Sequence, residues 1–116
     1  MRILIAEDEF LVGIQLEDDL RSAGCSILGP FSTLEMATQA ARRERFDVAI
    51  LDINLNGDMV YSLADELSVR GIPFIFLSGY ISADLPERFK KSPQITKPHD
   101  PAALIKEIQT AAPRAN

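Results

Sequence analysis

A chain of 116 residues can hold one domain with a core of its own and is too short for two ordinary ones. Apolar residues make up 47% and charged residues 25%, which excludes wholesale disorder, and a net charge of −5 argues against a nucleic-acid or anionic-membrane surface. The single cysteine, Cys25, cannot form an internal disulfide, MRILIAED is too short for a secretory signal, and no stretch reaches transmembrane length, so a cytoplasmic domain with Cys25 as a small core residue is expected.

Strand-like and helix-like segments alternate along the chain. RILIA (Arg2–Ala6) is an apolar run of strand length. Leu11, Val12, Leu16, Leu20 and Ala23 then recur at helical spacing, and Gly24 offers a stop. SILG (Ser26–Gly29) reads as a weaker second strand closed by Pro30. Ser32 and Glu35 have capping-box spacing and open a helix through Ala37, Ala40 and Ala41. VAIL (Val48–Leu51) is a third strand with Asp52 at its tip, and Asn56-Gly57 marks a turn. Asp58 can cap a helix whose stripe is Val60, Leu63, Ala64 and Leu67, with Gly71 ending it. PFIFL (Pro73–Leu77) is the fourth strand, a poorer helix is expected over Ala83–Lys91, and QIT (Gln94–Thr96) is a short fifth strand. Asp100-Pro101 reads as N-cap and first-turn proline of a last helix with Leu104, Ile105 and Ile108 inward.

Five βα repeats predict an α/β fold, a doubly wound parallel sheet with helices on both faces. Strands one, three and four lack polar alternation, as coverage on both faces requires. Residues 1–112 read as one domain and 113–116 (PRAN) as a tail. Ligands of such sheets bind beyond the carboxyl ends of the strands, where strand order reverses. There the chain places Glu7, Asp8 and Glu9 after strand one, Asp52 at strand three, Ser78 after strand four and Lys97 after strand five. With the flavodoxin-like order 2-1-3-4-5, strands one and three adjoin, and Glu7, Asp8 and Asp52 converge. Clustered carboxylates repel, and a hard divalent cation with oxygen ligands, Mg²⁺ rather than zinc, resolves that repulsion. A hydroxyl and an ammonium across the site suit phosphoryl transfer, with a carboxylate as acceptor. Taken singly, each feature has a plainer reading: an acidic first helical turn, a turn or capping aspartate, a Ser-Gly loop.

Taken together, from ILIAEDE to KPHDPAALIKEI, the sequence resembles the receiver domains of bacterial response regulators (CheY-like). The resemblance implies that Asp52 is the phosphoacceptor, that Glu7 and Asp8 are the acidic pair, and that Asn54 offers its backbone carbonyl to Mg²⁺. It implies Ser78 as the hydroxyl switch residue, Lys97 as the phosphate-binding lysine, and a cis peptide at Lys97-Pro98. Phe76-Leu77-Ser78-Gly79-Tyr80, with Gly29-Pro30, DINLNG (Asp52–Gly57) and LPERF (Leu85–Phe89), is similar to the stand-alone subgroup named for Phe-Ala-Thr-Gly-Tyr. Gln94 occupies the place of the family's rotating aromatic, so Tyr80 is the candidate for the aromatic part of the switch, with a fixed loop anchor and a gate for the attacking water as its other readings. His99, where phenylalanine often follows Lys-Pro, reads as a partly exposed loop residue.

The resemblance therefore implies a two-component phosphorylation switch. It would take phosphoryl from a sensor histidine kinase or phosphotransfer protein and change its contacts with a downstream protein, without nucleic acid or membrane as partner. A receiver excised from a hybrid kinase or larger regulator, acting as relay or phosphate sink, is the alternative within the family. A pseudo-receiver that keeps the fold without chemistry fits poorly with an intact Asp52, Ser78 and Lys97. An aspartate-nucleophile phosphohydrolase needs a second acid two residues after the nucleophile. Asp52-Ile53-Asn54 puts an amide there, which cannot deliver a proton.

Overall fold

The computed structural model describes residues 1–79 and 85–112. Its elements are β1 (Arg2–Ala6), α1 (Phe10–Ser22), β2 (Ser26–Phe31), α2 (Leu34–Arg43), β3 (Val48–Asp52), a two-residue ribbon β4 (Asn54–Leu55) and β5 (Asp58–Met59), α3 (Tyr61–Val69), β6 (Phe74–Ser78), a 3-10 turn (Glu87–Phe89), β7 (Gln94–Thr96) and α4 (Pro101–Ala111). Strands β2-β1-β3-β6-β7 form one parallel sheet in that order. Setting the ribbon aside, this is the flavodoxin-like 2-1-3-4-5 order, with the reversal between β1 and β3.

Side-chain parity along the strands sorts the core into two layers. Ile3 and Ile5, Val48 and Ile50, and Ile75 and Leu77 point to one face, where Leu16 and Leu20 of α1 and Leu104 and Ile108 of α4 cover them. Leu4, Ala6, Ala49, Leu51 and Phe76 point to the other, under Ala37 and Ala41 of α2 and Leu63, Ala64 and Leu67 of α3. Each buried leucine or isoleucine contributes about 1.5–3 kcal/mol by leaving water, so both helix pairs are held by packing rather than by propensity. Among the described residues, no helix is long and apolar enough to cross a membrane.

The turn chemistry is local. Asn56 (φ 54°) and Gly57 (φ 95°) both take the left-handed conformation that a two-residue hairpin needs. Gly29 (φ 109°) lies where a Cβ would come within 2.7 Å of the Ile5 carbonyl, so only glycine fits. Asp100 caps α4 through the Ala103 N–H at 3.3 Å, with Pro101 in the first turn.

Several boundaries depart from the sequence expectation. β2 does not stop at Gly29: it shifts register and runs through a cis Gly29-Pro30 bond to Phe31. Thr33, not Ser32, caps α2, accepting the Met36 N–H at 3.1 Å. Asp58 is no cap, because it pairs with Leu55 in the ribbon and α3 begins three residues later behind Val60. Leu11 faces solvent at 77% exposure, beside an equally exposed Phe10, and Ala23 lies past the helix end. Cys25 is half-buried at the edge of the α1/α4 layer. The helix expected over Ala83–Lys91 is, within the described residues, only the 3-10 turn, since Pro86 lacks an N–H and biases Leu85 away from helix. That turn is pinned instead. Arg88 makes two bonds to Asp65 of α3 (2.7 and 2.9 Å), and Phe89 packs among Tyr61, Phe74 and Phe76.

Candidate functional site

Parity and register bring the site together. Asp52 is the last residue of β3 and pairs with Leu77 of β6, while Ser78 pairs with Thr96 of β7, one residue before Lys97. Glu7 follows β1 on the other side, its N–H bonded to the Phe31 carbonyl at 2.9 Å. All of these residues therefore meet at the carboxyl edge of the sheet, at the β1/β3 reversal. Glu7, Asp52 and Ser78 are buried there.

At the centre is the Lys97 ammonium. It lies 2.8 Å from Glu7 Oε1, 2.6 Å from Glu9 Oε1 and 3.1 Å from Asp52 Oδ2. Asp52 Oδ1 accepts the Asn54 N–H at 3.2 Å, and Glu7 Oε2 accepts the Asp8 N–H at 2.9 Å. Asp8 Oδ2 accepts the Asn56 N–H at 3.1 Å, whereas Asp8 Oδ1 is buried without a hydrogen-bond donor. Asn54 turns its own Oδ1 away, onto the Gly57 N–H at 2.7 Å. The three acids sit ahead of α1, not in its first turn. Glu9 is the N-cap residue but spends its carboxylate on Lys97 instead of capping.

Four carboxylates against one ammonium leave an excess of negative charge. Burial, then Glu7 and Asp8, push the Asp52 carboxyl up to about 8 in the metal-free protein. Burial acts in the same direction on Asp8, but its interactions with Asp52, the Asn56 amide and Glu7 outweigh it and hold Asp8 below the usual carboxylate range. Asp52 is thus the group whose charge the cluster disfavours and Asp8 one whose charge it favours. Burial works against the Lys97 charge, yet its contacts with Glu7, Glu9 and Asp52 keep it protonated above the ordinary lysine range.

Glu7, Asp8, Glu9 and Asp52 each bring one carboxylate oxygen within 4.8 Å of the others. An all-oxygen donor set with a buried, donorless Asp8 Oδ1 fits a hard divalent cation.

Of the residues expected at the site, Lys97 contacts Glu7 and Asp52, Asp8 clusters with those two carboxylates, Ser78 is at the adjoining strand end, and Asn54 contributes its N–H. Tyr80 lies outside the described residues. Sequence reading missed the Glu9–Lys97 contact and the Asn56 amide on Asp8. It also misplaced His99, which is buried and bonded to Asp19 of α1, not partly exposed. The peptide before it, Lys97-Pro98, is cis as expected.

The chain belongs to the response regulator receiver domain family, whose model matches residues 3–109. Receiver domains are signalling switches that bind Mg²⁺ at an acidic pocket and interact with histidine kinases or phosphotransfer proteins. The chain is 30% identical over 117 residues to the transcriptional regulatory protein PdtaR of Mycobacterium tuberculosis, covering 97% of this chain and 57% of that one. It therefore spans little more than half the length of this curated relative. Among solved structures it is similar to SdrG from Sphingomonas melonis Fr1, with 33% identity, a TM-score of 0.83 and coverage of 99% of this chain and 94% of the other. The BeF₃-activated conformation of SdrG, recorded from Pseudomonas melonis Fr1, matches at 34% identity, a TM-score of 0.77 and 90% of each chain. The signal receiver domain of a modulated diguanylate cyclase from Desulfovibrio desulfuricans G20 gives 29% identity and a TM-score of 0.85, over 98% of this chain and 94% of that one.

Proposed function

We propose that the chain is a phosphorylation switch in which Asp52 accepts a phosphoryl group from the phosphohistidine of a sensor kinase or phosphotransfer protein. The observation that carries this reading is the placement of Asp52: a buried carboxylate at the sheet's carboxyl edge, within 3.1 Å of Lys97 and clustered with Glu7 and Asp8.

Glu7, Asp8 and Asp52, with the Asn54 carbonyl, would hold Mg²⁺, which neutralises the acidic cluster and the phosphoryl oxygens when bound. Neutralisation also favours loss of the proton that burial keeps on Asp52. An ionised Asp52 oxygen attacks phosphorus in line, the P–N bond to the donor imidazole breaks, and the imidazole leaves. The new group brings negative charge within reach of Lys97, whose ammonium exchanges Glu9 and Glu7 for a phosphoryl oxygen, while the Ser78 hydroxyl donates to another. Attack of water on phosphorus later breaks the P–O bond to Asp52, releases inorganic phosphate and restores the carboxylate. This is self-directed chemistry, not turnover of an outside substrate. The amide at Asn54 argues against a phosphohydrolase, since it cannot protonate a leaving group.

Movement of Ser78 would then alter contacts with a downstream protein. The Phe76–Tyr80 segment supports membership of the Phe-Ala-Thr-Gly-Tyr subgroup. PdtaR is an example of the longer alternative. The BeF₃-activated form recorded for SdrG supports activation by an acyl-phosphate mimic.

Incubation with Mg²⁺ and acetyl phosphate tests the reading. One hydroxylamine-labile phosphoryl group should appear by intact mass, and Asp52→Asn should abolish it. Phosphoryl retained on the folded Asn variant would place the acceptor elsewhere.

A further inference from the structure

His99 stands two residues beyond Lys97 and takes no part in the chemistry above. It is nevertheless one of four buried polar or charged residues among those described, with its side chain only 2% exposed. Its Nε2 lies 2.6 Å from Asp19 Oδ2, a partner 80 positions away on α1 whose side chain is 22% exposed. A buried ring nitrogen without a partner is costly, so this contact settles how the ring is oriented.

Both ends of the contact lead into the site. Lys97-Pro98-His99-Asp100 links β7 to the N-cap of α4. The segment is tied at its front by the Lys97 N–H to the Ser78 carbonyl (2.7 Å) and at its rear by Asp100 on the Ala103 N–H (3.3 Å). α1 follows directly from Glu7-Asp8-Glu9, and its Leu16 and Leu20 share a core layer with Ile95, Leu104 and Ile108. Apolar packing holds these elements together but slides easily along its contact surface. A hydrogen bond between fixed atoms does not. The His99–Asp19 bond therefore sets the distance between the helix that carries the acids and the loop that carries the ammonium.

We infer that His99 is a positioning residue: through Asp19 it fixes the Lys97 loop against α1, so that the Lys97 ammonium stands where a phosphoryl group on Asp52 requires it. This deepens the phosphoacceptor reading and rests on it. Small misplacements of a charge-stabilising group slow phosphoryl transfer without loss of fold.

The test compares His99→Phe, which keeps a ring and loses the bond, with Asp19→Ala, which removes the partner from the helix surface, their double variant, and His99→Gln. Phosphorylation by acetyl phosphate is followed by intact mass at saturating Mg²⁺, below the melting temperature of every variant. Amide shifts of Lys97 and Ser78 are recorded alongside. Each single variant should slow phosphorylation at least about fivefold with Mg²⁺ affinity unchanged. The double should be no slower than either single, and His99→Gln should recover part of the rate. Parental rates and unmoved Lys97 shifts in folded variants, or a lower melting temperature with an unchanged rate, would overturn the inference. If the parent itself takes no phosphoryl group, the acceptor reading fails separately. The Lys97 shifts then decide the positioning role: moved alike in His99→Phe and Asp19→Ala they uphold it, and unmoved they refute it.

Discussion

Asp52→Asn should make the metal-free protein more stable, although it removes the residue on which the proposed chemistry turns. The parent packs Asp52 against Glu7 and Asp8 with one shared ammonium, and burial with these neighbours raises its carboxyl from 3.8 to about 8. Between those values the native state holds a proton that the unfolded chain has released. The unfolded state therefore binds fewer protons, and this group's contribution to stability declines as pH rises from about 4 through about 8. Four units at about 1.4 kcal/mol each would give between 5 and 6 kcal/mol at full ionisation, and about 4 at pH 7. Water at the mouth of the site and relaxation of Glu9, which is 60% exposed, screen much of this, leaving about 1–3 kcal/mol. An amide keeps the shape and carries no charge, and its one oxygen can still accept from either the Asn54 N–H or Lys97, though not from both. At pH 8 in EDTA the variant should thus melt about 4–12 °C above the parent. Saturating Mg²⁺ should stabilise the parent strongly and the variant little, shrinking or reversing the difference. Thermal unfolding followed by circular dichroism, with and without Mg²⁺, reads both quantities. A variant less stable than the parent in EDTA, with an equal Mg²⁺ response, would refute the electrostatic account.

Asp8→Ala should weaken Mg²⁺ binding by at least about tenfold and Glu9→Ala by less than about threefold, because Asp8 Oδ1 has no competing donor while Glu9 is held by Lys97; isothermal titration decides, and equal losses would show that the wrong acid was assigned. Lys97→Ala should leave Mg²⁺ affinity no lower, yet shrink the Ser78 shift changes that beryllofluoride induces in NMR spectra. In EDTA the same variant should lose about 1–3 kcal/mol in urea unfolding, since Glu7 and Asp52 lose their shared counter-charge. Phe89→Ala should cost about 3–4 kcal/mol in the same assay through the cavity left among Tyr61, Phe74 and Phe76, and Arg88→Ala far less, because the Asp65 pair is exposed.

The sheet was legible because its signals are local and redundant. β1, β3 and β6 are unbroken apolar runs, and turn or stop residues at Gly24, Asn56-Gly57 and Gly71 punctuate them. The site was legible for a different reason: the topology sends every strand's carboxyl end to one edge, so the residues just past the strand ends compose the site. What sequence could not supply was competition between partners. Ser32 and Thr33 both suit an N-cap, and which of them reaches the Met36 N–H is settled by the path of the chain, not by residue type. Asp58 resembles a cap until the ribbon claims it. Leu11 fits a helical stripe, yet α1 turns Gly13, Leu16 and Leu20 to the sheet and leaves Leu11 outward. His99 carries no local sign of burial, because its partner is 80 residues earlier.

The Asn56-Gly57 turn bears on ion selectivity. It delivers the Asn56 N–H to Asp8 Oδ2 and thereby occupies one of that carboxylate's two oxygens. Asp8 keeps one oxygen, Oδ1, clear of any donor, and Asp52 takes the Asn54 amide on Oδ1, so both are biased toward giving a cation one oxygen rather than two. Calcium gathers six to eight oxygens and readily takes a carboxylate by both, whereas magnesium is content with a few single-oxygen contacts and water in a tight octahedron. A hairpin that only reverses the chain would thus also ration the site's oxygens in favour of the smaller ion.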